Sequence, residues 1–452
     1  MNSYLCFSEG ATYSEKNYPF LVDTLSENGS YISVRSGGFS WKVTGFSIVN
    51  NIPIIVFPKN YTVPENDIDI RNEAMLLLKT LLRYRNEHEF DVEESELLFG
   101  DFSNDSSRIS SAIFIIEDYL QYGLIRRKHE IYTTTRLGRT DWARTINKTI
   151  PLIGKSGIAY PEPVMRVNTF DTGNILRQIH EFVVGDCASL WGWLLDYDGE
   201  ELEIKQLPCP LDEAIDILRK ELTNTFVQRE IALLNTMIEY LNALKGVRDN
   251  LKMEFLCTPY FHWVWEAICG YIFDNDYNYL KVYVPSPEWH SAKFTARIEQ
   301  RPDILFHNKD TLYILDAKYY NYHRNLPGWH DVVKQFYYRL TLMKALNSRT
   351  VEGELAEIRR IENVFVFPGD KGSGTQYLGY VDVNDVDDLG TVKAYLIDSL
   401  MAMQAYALHE ESDFKMNLIT ELEGDRLKNA KSVSEFHAHK GLDEAQSYRL
   451  KF

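Results

Sequence analysis

A chain of 452 residues is too long for one ordinary core and predicts two to four domains, and its 45% apolar content is that of a folded globular protein. The net charge of −17 counts against a protein that coats DNA unaided, because nonspecific affinity comes mainly from Lys and Arg neutralising phosphates, although charge can be segregated locally. No window approaches about 18 consecutive apolar residues and the start, MNSYLCFSEGATYSEKNY, lacks the charged-then-apolar pattern of a signal peptide, so the expected location is the cytoplasm, with no membrane partner. Cys6, Cys187, Cys209, Cys257 and Cys269 are scattered without a CxxC pair, which points to buried free thiols rather than a disulfide framework or structural zinc.

Residues 1–65, with SYISVRSGGFSWKVTGFSIVNNIPIIVFPKNY, read as several short strands of a β-rich N-terminal domain. Over 66–138 the pattern turns helical, through NEAMLLLKTLLRYR and SSRISSAIFIIEDYLQYGLI, and then LIRRKHEIYTTTR reads as two short strands around a charged turn. Helices followed by such a hairpin suggest a winged-helix-like domain, for which docking on DNA or protein and service as a spacer are equal alternatives. Arg126, Arg127, Lys128, Arg136, Arg139, Arg144 and Lys148 make this the most basic part of the chain, either a contact for DNA or a partner or a solvated hairpin.

Residues 139–250 are read as a mainly helical linker or partner-binding region, through NILRQIHEFVVGDCASLWGWLLD, LDEAIDILRKELTNTF and REIALLNTMIEYLNALKG. In it His180 is expected to be a satisfied core histidine or an interface residue. From 251 to 411 the composition becomes an α/β mixture: a helix around YFHWVWEAICGYIF, strands near YLKVYVPS, RPDILFH and TLYILDAKYY, and a helix DVVKQFYYRLTLMKAL. A strand NVFVFP and a helix TVKAYLIDSLMAMQAYAL complete it, giving a mixed sheet with helices on both faces. Residues 412–452 form a charged tail, a short helix or loose segment, and the whole is a multidomain α+β chain.

In TLYILDAKYY, alternation places Leu312, Ile314, Asp316 and Lys318 on one face of a strand and Tyr313, Leu315 and Ala317 on the other. Both faces stay apolar until the end, so the strand is central, and charges at the end of a buried strand are costly unless paired or bound to metal. The turn formers Asn308, Lys309 and Asp310 join it to RPDILFH and bring Asp303 towards Asp316. Two carboxylates and an ammonium then converge, a donor set suited to Mg²⁺, with Mn²⁺ as a substitute, and to phosphodiester hydrolysis.

Pro302, Asp303, Asp316, Ala317 and Lys318 match the PD-(D/E)xK pattern of restriction-type nucleases. FHWVWEAIC, VPSPEWH, RPDILF, LDAKYY and KQFYY, with RTDWARTINKTIP and NILRQIHEFVV in the N-terminal half, resemble the LlaJI family of restriction endonucleases, including McrC-like subunits, over most of the chain. The resemblance implies a C-terminal restriction-endonuclease-like domain in which Asp303, Asp316 and Glu266 hold the metal, Lys318 acts on the water or the developing charge, and Gln335 supports the site. It further implies double-stranded DNA as substrate and a separate McrB-like AAA+ GTPase subunit. The chain fits that division, since it has no GxxxxGK[ST] and the nearest stretch, GDKGSGTQ at Gly369 to Gln376, lacks the Lys and hydroxyl of a P-loop.

Beside these stand plainer readings. Glu266 on an apolar helix is either a metal-linked carboxylate or a solvent-facing one, Gln335 and Lys334 are either site residues or an exposed helix face, and Tyr338 is packing. His307, His323 and His330 match no zinc spacing and are taken as loop residues or phosphate contacts. A self-sufficient type II enzyme and a noncatalytic adaptor remain the alternative functions.

Overall fold

The computed structural model describes residues 4–25, 31–35, 37–50, 52–87, 108–126, 128–134, 138–155, 157–170, 174–250, 253–291, 294–323, 325–348, 356–384 and 386–424. The protein is of mixed α/β class and forms two compact units, one of residues 1–49, 53–103 and 255–452, the other of 50–52 and 104–254. Arg127 and Arg136 of the basic run and the tail beyond 424 lie outside the described residues. No helix among the described residues is long and apolar enough to cross a membrane.

The first unit contains two principal sheets. Strands β1 (Leu5–Ser8), β2 (Thr44–Val49), β3 (Ile52–Phe57) and β4 (Met253–Thr258) form one, in the order β1-β3-β2-β4, so the N-terminal strands share a sheet with the strand that opens the C-terminal segment. Gly45 makes the β2–β4 approach possible. Its φ is +134°, and a Cβ there would stand 2.3 Å from the carbonyl oxygen of Leu256 and 2.7 Å from Cys257 Cα. The long helix α1 (Asp67–Glu87) follows, burying Ile70, Ala74, Leu77, Leu78 and Leu81 at helical spacing.

The second sheet holds β5 (Ile304–Asn308), β6 (Thr311–Ala317), β7 (Arg360–Gly369), β8 (Thr375–Val381) and β9 (Val392–Asp398), in the order β5-β6-β7-β9-β8. β6 pairs antiparallel with β5 and parallel with β7, and all seven of its residues are buried, as the two apolar faces of TLYILDA require. Lys309 takes the positive φ of 52° in the turn before it. Helices α2 (Phe261–Ile272) and α3 (Trp329–Ser348) pack on β6. Leu305, Leu312 and Ile314 form one core with Tyr338 and Leu342 of α3, each fully buried large apolar side chain contributing about 1.5–3 kcal/mol.

Two expected elements differ here. YLKVYVPS, whose alternation suggests a strand, is a turn of helix at Tyr277–Leu280 followed by a 3₁₀ turn, Lys281–Tyr283. Asn275 decides this: its Oδ1 accepts from the Tyr277 N–H at 3.0 Å, and Tyr277, Leu280 and Val284 then reach the core at helical spacing. TVKAYLIDSLMAMQAYAL is a helix only in its second half, α4 (Ser399–Leu408). Its first half is β9, because VKAYLID fills the place between β7 and β8, and Asp398 stops the strand by capping α4 through Met401 N–H at 3.0 Å. The GDKGSGTQ stretch is the turn into β8. Beyond α4 a further helix runs from 414 to at least 424 and buries Phe414, Leu418, Ile419 and Leu422.

The second unit packs helix Arg108–Tyr122 on Ile175–Trp191 and Gln228–Asn250, with Leu211–Asn224 against the last of these. Asp118 and Arg229 form a two-pronged pair at 2.7 and 2.6 Å. His180 is a core histidine: its Nδ1 accepts from the Ile125 N–H at 3.1 Å, and burial lowers its pKa to about 4. Among the described residues LIRRKHEIYTTTR contributes the strand Lys128–Thr133, whose antiparallel partner is the later Met165–Phe170, which also pairs with Arg139–Thr140. The mainly helical region from 139 thus begins with strands, including a hairpin of Leu152–Gly154 and Gly157–Ala159. Helices at 67–87 and 108–122, successive in the winged-helix reading, belong to different units. All five cysteines are free; Cys187, Cys257 and Cys269 are buried and Cys6 and Cys209 partly so.

The Gly45 approach generates a test. Gly45→Ala must either push β2 from β4 or strain the backbone, so it is expected to destabilise the protein by about 1–3 kcal/mol, read as a fall in the denaturant midpoint at unchanged slope, whereas Gly10→Ala, with nothing within 4 Å of its added Cβ, should cost less.

Candidate active site

The β5–β6 register pairs Ile304 with Leu315, which sets Asp303 opposite Asp316 one step further on. Asp303 Oδ2 accepts from the Ala317 N–H at 3.1 Å. Asp316 is 1% exposed, and Lys318 Nζ lies 3.1 Å from its Oδ2 and 2.6 Å from Asp331 Oδ1. On α3, Asp331, Lys334, Gln335 and Tyr338 share a face at spacings of three and four, and Lys334 Nζ stands 3.8 Å from Asp303 Oδ1.

Two carboxylates side by side in a buried place cannot both remain ionised cheaply. Burial, and then the hydrogen bond and charge of Asp316, push Asp303 up to about 8. Burial acts upward on Asp316 as well, but the hydrogen bond from Asp303 and the ammonium groups of Lys318 and Lys334 outweigh it and hold Asp316 below its usual range. A proton on Asp303 gives Asp316 a hydrogen-bond donor in addition to the Lys318 ammonium at 3.1 Å. Burial would lower Lys318, yet Asp316 and Asp331 raise it above its ordinary value and keep it cationic. Glu266 on α2 is half-buried and raised by burial and by Asp316, so it belongs to the same electrostatic neighbourhood.

The donor chemistry fits a hard divalent cation. A buried carboxylate facing a second carboxylate is what Mg²⁺ would satisfy, and this ion uses one or two carboxylates and keeps several waters. Among the described residues no three His, Cys, Asp or Glu groups stand together as a ready cage, so Glu266 does not complete a three-donor cluster with Asp303 and Asp316.

Gln335 is fully buried and its amide makes no hydrogen bond with either carboxylate; its backbone carbonyl accepts from Asn363 Nδ2. Tyr338 packs in the core beneath the pair, and its hydroxyl pKa is raised by burial and by Asp303 and Asp316. Of the three histidines taken as loop residues, His307 lies in β5 and His330 in the first turn of α3, because the strand and helix extend further than their apolar patterns; His323 is exposed beside Tyr322.

Sequence reasoning missed Asp331, for which the three- and four-residue spacing to Lys334 and Gln335 was the available signal. It also missed a network from the N-terminal segment. The Tyr319 hydroxyl donates to Glu9 Oε2 at 2.7 Å and accepts from Lys59 N–H at 2.8 Å, while Thr44 Oγ1 donates to Glu9 Oε2 at 2.7 Å and Lys59 Nζ pairs with Glu9 Oε1 at 3.2 Å. Asn60 Nδ2 donates to the carbonyls of Tyr320, at 2.8 Å, and Pro368, at 3.2 Å. These bonds hold the chain just past Lys318. No local pattern joins residues so far apart.

With this buried carboxylate pair and cationic lysine at the strand end described, sequence comparison supplies the class: the chain belongs to the LlaJI restriction endonuclease family, whose model matches residues 44–400. Among individual proteins it is similar to the type II restriction enzyme BsuMI component YdjA of Bacillus subtilis (strain 168), at 24% identity over 416 residues covering 86% of this chain and 84% of that protein. A solved structure also aligns, a chain of the refined half-complex from the tetradecameric assembly of Thermococcus gammatolerans McrB AAA+ hexamers with bound McrC, at 13% identity over 92% of this chain and 99% of that one, with a TM-score of 0.37.

The shared proton has a measurable sign. Asp303 has a folded pKa above its ordinary value of 3.8, so between about pH 4 and 8 the folded metal-free protein binds a proton that the unfolded chain does not, and this group's contribution to stability is lost as pH rises through about 8. Asp303→Asn removes that dependence. In metal-free buffer, the melting temperature of the variant minus that of the wild type should therefore increase from pH 5 to pH 9; a constant difference would contradict the shared proton.

Proposed function

We propose that the chain is the Mg²⁺-dependent DNA endonuclease subunit of a restriction system, with a PD-(D/E)xK core formed by β5 and β6. The observation that carries this reading is the buried Asp303–Asp316 carboxylate pair beside the cationic Lys318. Asp303 and Asp316 hold the cation, with Glu266 acting on it from outside their pair. When bound, Mg²⁺ supplies Lewis-acid polarisation of the scissile phosphate and acidifies water at the site.

The protein's own groups do the rest. Asp303 gives up its shared proton on loading, since a carboxylate must be ionised to bind a cation. Lys318, held protonated between Asp316 and Asp331, is a poor base; it orients the attacking water and stabilises the negative charge that develops on the phosphate. Asp331 fixes Lys318, and Lys334 offsets the charge of Asp303.

The substrate is double-stranded DNA and the partner a McrB-like AAA+ GTPase that selects and delivers it. Support comes from the missing P-loop, the acidic net charge of −17, and a similar protein that is itself named as one component of a restriction enzyme.

Asp303→Asn, Asp316→Asn and Lys318→Ala should each lower Mg²⁺-dependent cleavage of plasmid DNA by about 100-fold or more, assayed with a McrB-like AAA+ partner and GTP. Cleavage at the wild-type rate by all three would overturn the assignment. Site-specific cutting by the purified chain without nucleotide would instead make it a self-sufficient enzyme.

A further inference from the structure

The segment that leads into Asp303 also forms a wall of a cleft of about 560 Å³, lined by Tyr277, Lys281, Val284, Arg297, Glu299 and Gln300 among others. Gln300 is the unusual member. It is only 8% exposed, yet neither its Oε1 nor its Nε2 has a hydrogen-bond partner. A buried amide without partners weakens a fold, and such groups in native proteins call for a reason beyond packing. Its backbone is well anchored, since the Gln300 carbonyl accepts from the Tyr277 hydroxyl at 3.2 Å.

The cleft is tied to the acidic pair. Asn275 Nδ2 donates to the Asp303 carbonyl at 2.9 Å, and Asn275 Oδ1 accepts from the N–H groups of Leu305 and Tyr277, both at 3.0 Å, so one side chain joins the cleft wall to Asp303 and to β5, which follows it. The Arg301 guanidinium lies over the Tyr277 ring, 5.9 Å from its centroid. Lys281 and Arg297 line the cleft as exposed cations with Glu299, Arg301 adds a third cation beside it, and Glu288 stands opposite Arg297 in the hairpin, so the surroundings carry a small excess of positive charge in a chain of net −17. The adjoining hairpin, Glu288–His290 with Thr295–Arg297, presents the exposed rings of Trp289 and Phe294.

We propose that this cleft is a subsite for a nucleotide of the DNA strand beside the cut phosphate, in which the Gln300 amide reads a base edge while Lys281 and Arg297 hold the flanking phosphate. This rests on the nuclease reading of Asp303 and Asp316. A Gln amide offers one acceptor and two donors, the pattern that pairs in two bonds with the N6 and N7 edge of adenine, and the volume is that of a small-ligand pocket. Cations hold the strand without reading it, and Gln300 supplies the discrimination.

The test uses the full chain, a fluorescein-labelled duplex of adenine-rich sequence at micromolar protein, and Ca²⁺ in place of Mg²⁺ so that the duplex stays intact. Gln300→Met, close in volume, should weaken binding about tenfold without lowering the melting temperature, because the amide has no internal partner to lose. Arg297→Ala should weaken binding and flatten its salt dependence for every sequence. With Mg²⁺ and the partner present, Gln300→Met should shift the base preference around the cuts. The proposal is overturned if Gln300→Met binds and cuts like the wild type, if it lowers the melting temperature, if the wild type does not bind the duplex, or if free GTP displaces the duplex from the wild type but not from Gln300→Met, which would make the cleft a site for a free nucleotide. Loss of cutting in Asp316→Asn together with unchanged binding in Gln300→Met removes only the subsite. Unimpaired cutting in Asp316→Asn with weakened binding in Gln300→Met removes the assignment of the acidic pair instead.

Discussion

Two carboxylates placed at the end of a wholly buried strand set the terms for everything around them. Taking Asp316 out of water raises the energy of its charge, and a second carboxylate opposite raises it further. The protein answers with a proton shared through Asp303 and with two lysines drawn from different elements, Lys318 from the strand end and Lys334 from α3. Lys318 in turn is fixed by Asp331, one turn before Lys334 on the same helix face. The two-residue turn at Lys309 and Asp310 is what makes the pair possible, because a slip of one residue in the β5–β6 register would send Asp316 to the other face. The arrangement is tolerated rather than optimal, because two carboxylates share a buried place that one proton and two ammonium groups balance.

Precision at that strand end depends on residues from the other end of the chain. Tyr319 follows Lys318 directly, and its hydroxyl sits in a buried network with Glu9, Thr44 and Lys59. Burial raises the pKa of Glu9 while Lys59, Thr44 and Tyr319 act against it, so the charge is compensated by a lysine and by directed hydrogen bonds. Asn60 adds a clamp on Tyr320 and on Pro368 at the end of the neighbouring β7. The N-terminal strands are therefore part of the scaffold that orients the acidic pair, and the close approach at Gly45 is one of the contacts that bind the two segments into one unit.

The differences between pattern and structure have local physical causes. VKAYLID and the helix behind it form one apolar run, and periodicity alone does not show where Asp398 turns a strand into a helix cap. YLKVYV alternates like a strand, yet Asn275 and the core beneath it select a helical turn. KHEIYT is a strand whose partner lies more than thirty positions downstream, a pairing that no turn signal beside it announces. In these cases the pattern along the run left more than one element open, and a local cap or a distant pairing settled it.

The sequence by itself determined the core of the site: the doubly apolar TLYILDA, the turn before it, and the charges Asp303, Asp316 and Lys318 in an order whose strand geometry requires them to meet. It also determined the family, through motifs spread over most of the chain. Such features are legible because strand alternation and tight turns act over a few residues. Only the tertiary structure decided which groups surround the pair. Asp331 and Lys334 close on it, Gln335 is buried beside it without touching the carboxylates, and Glu266 stands outside a three-donor cluster. It alone brought Glu9 to Tyr319 and left the Gln300 amide unpaired in a cleft. Those relations depend on how helices and sheets pack across hundreds of positions, where side-chain direction and burial, rather than spacing along the chain, fix what each charge meets.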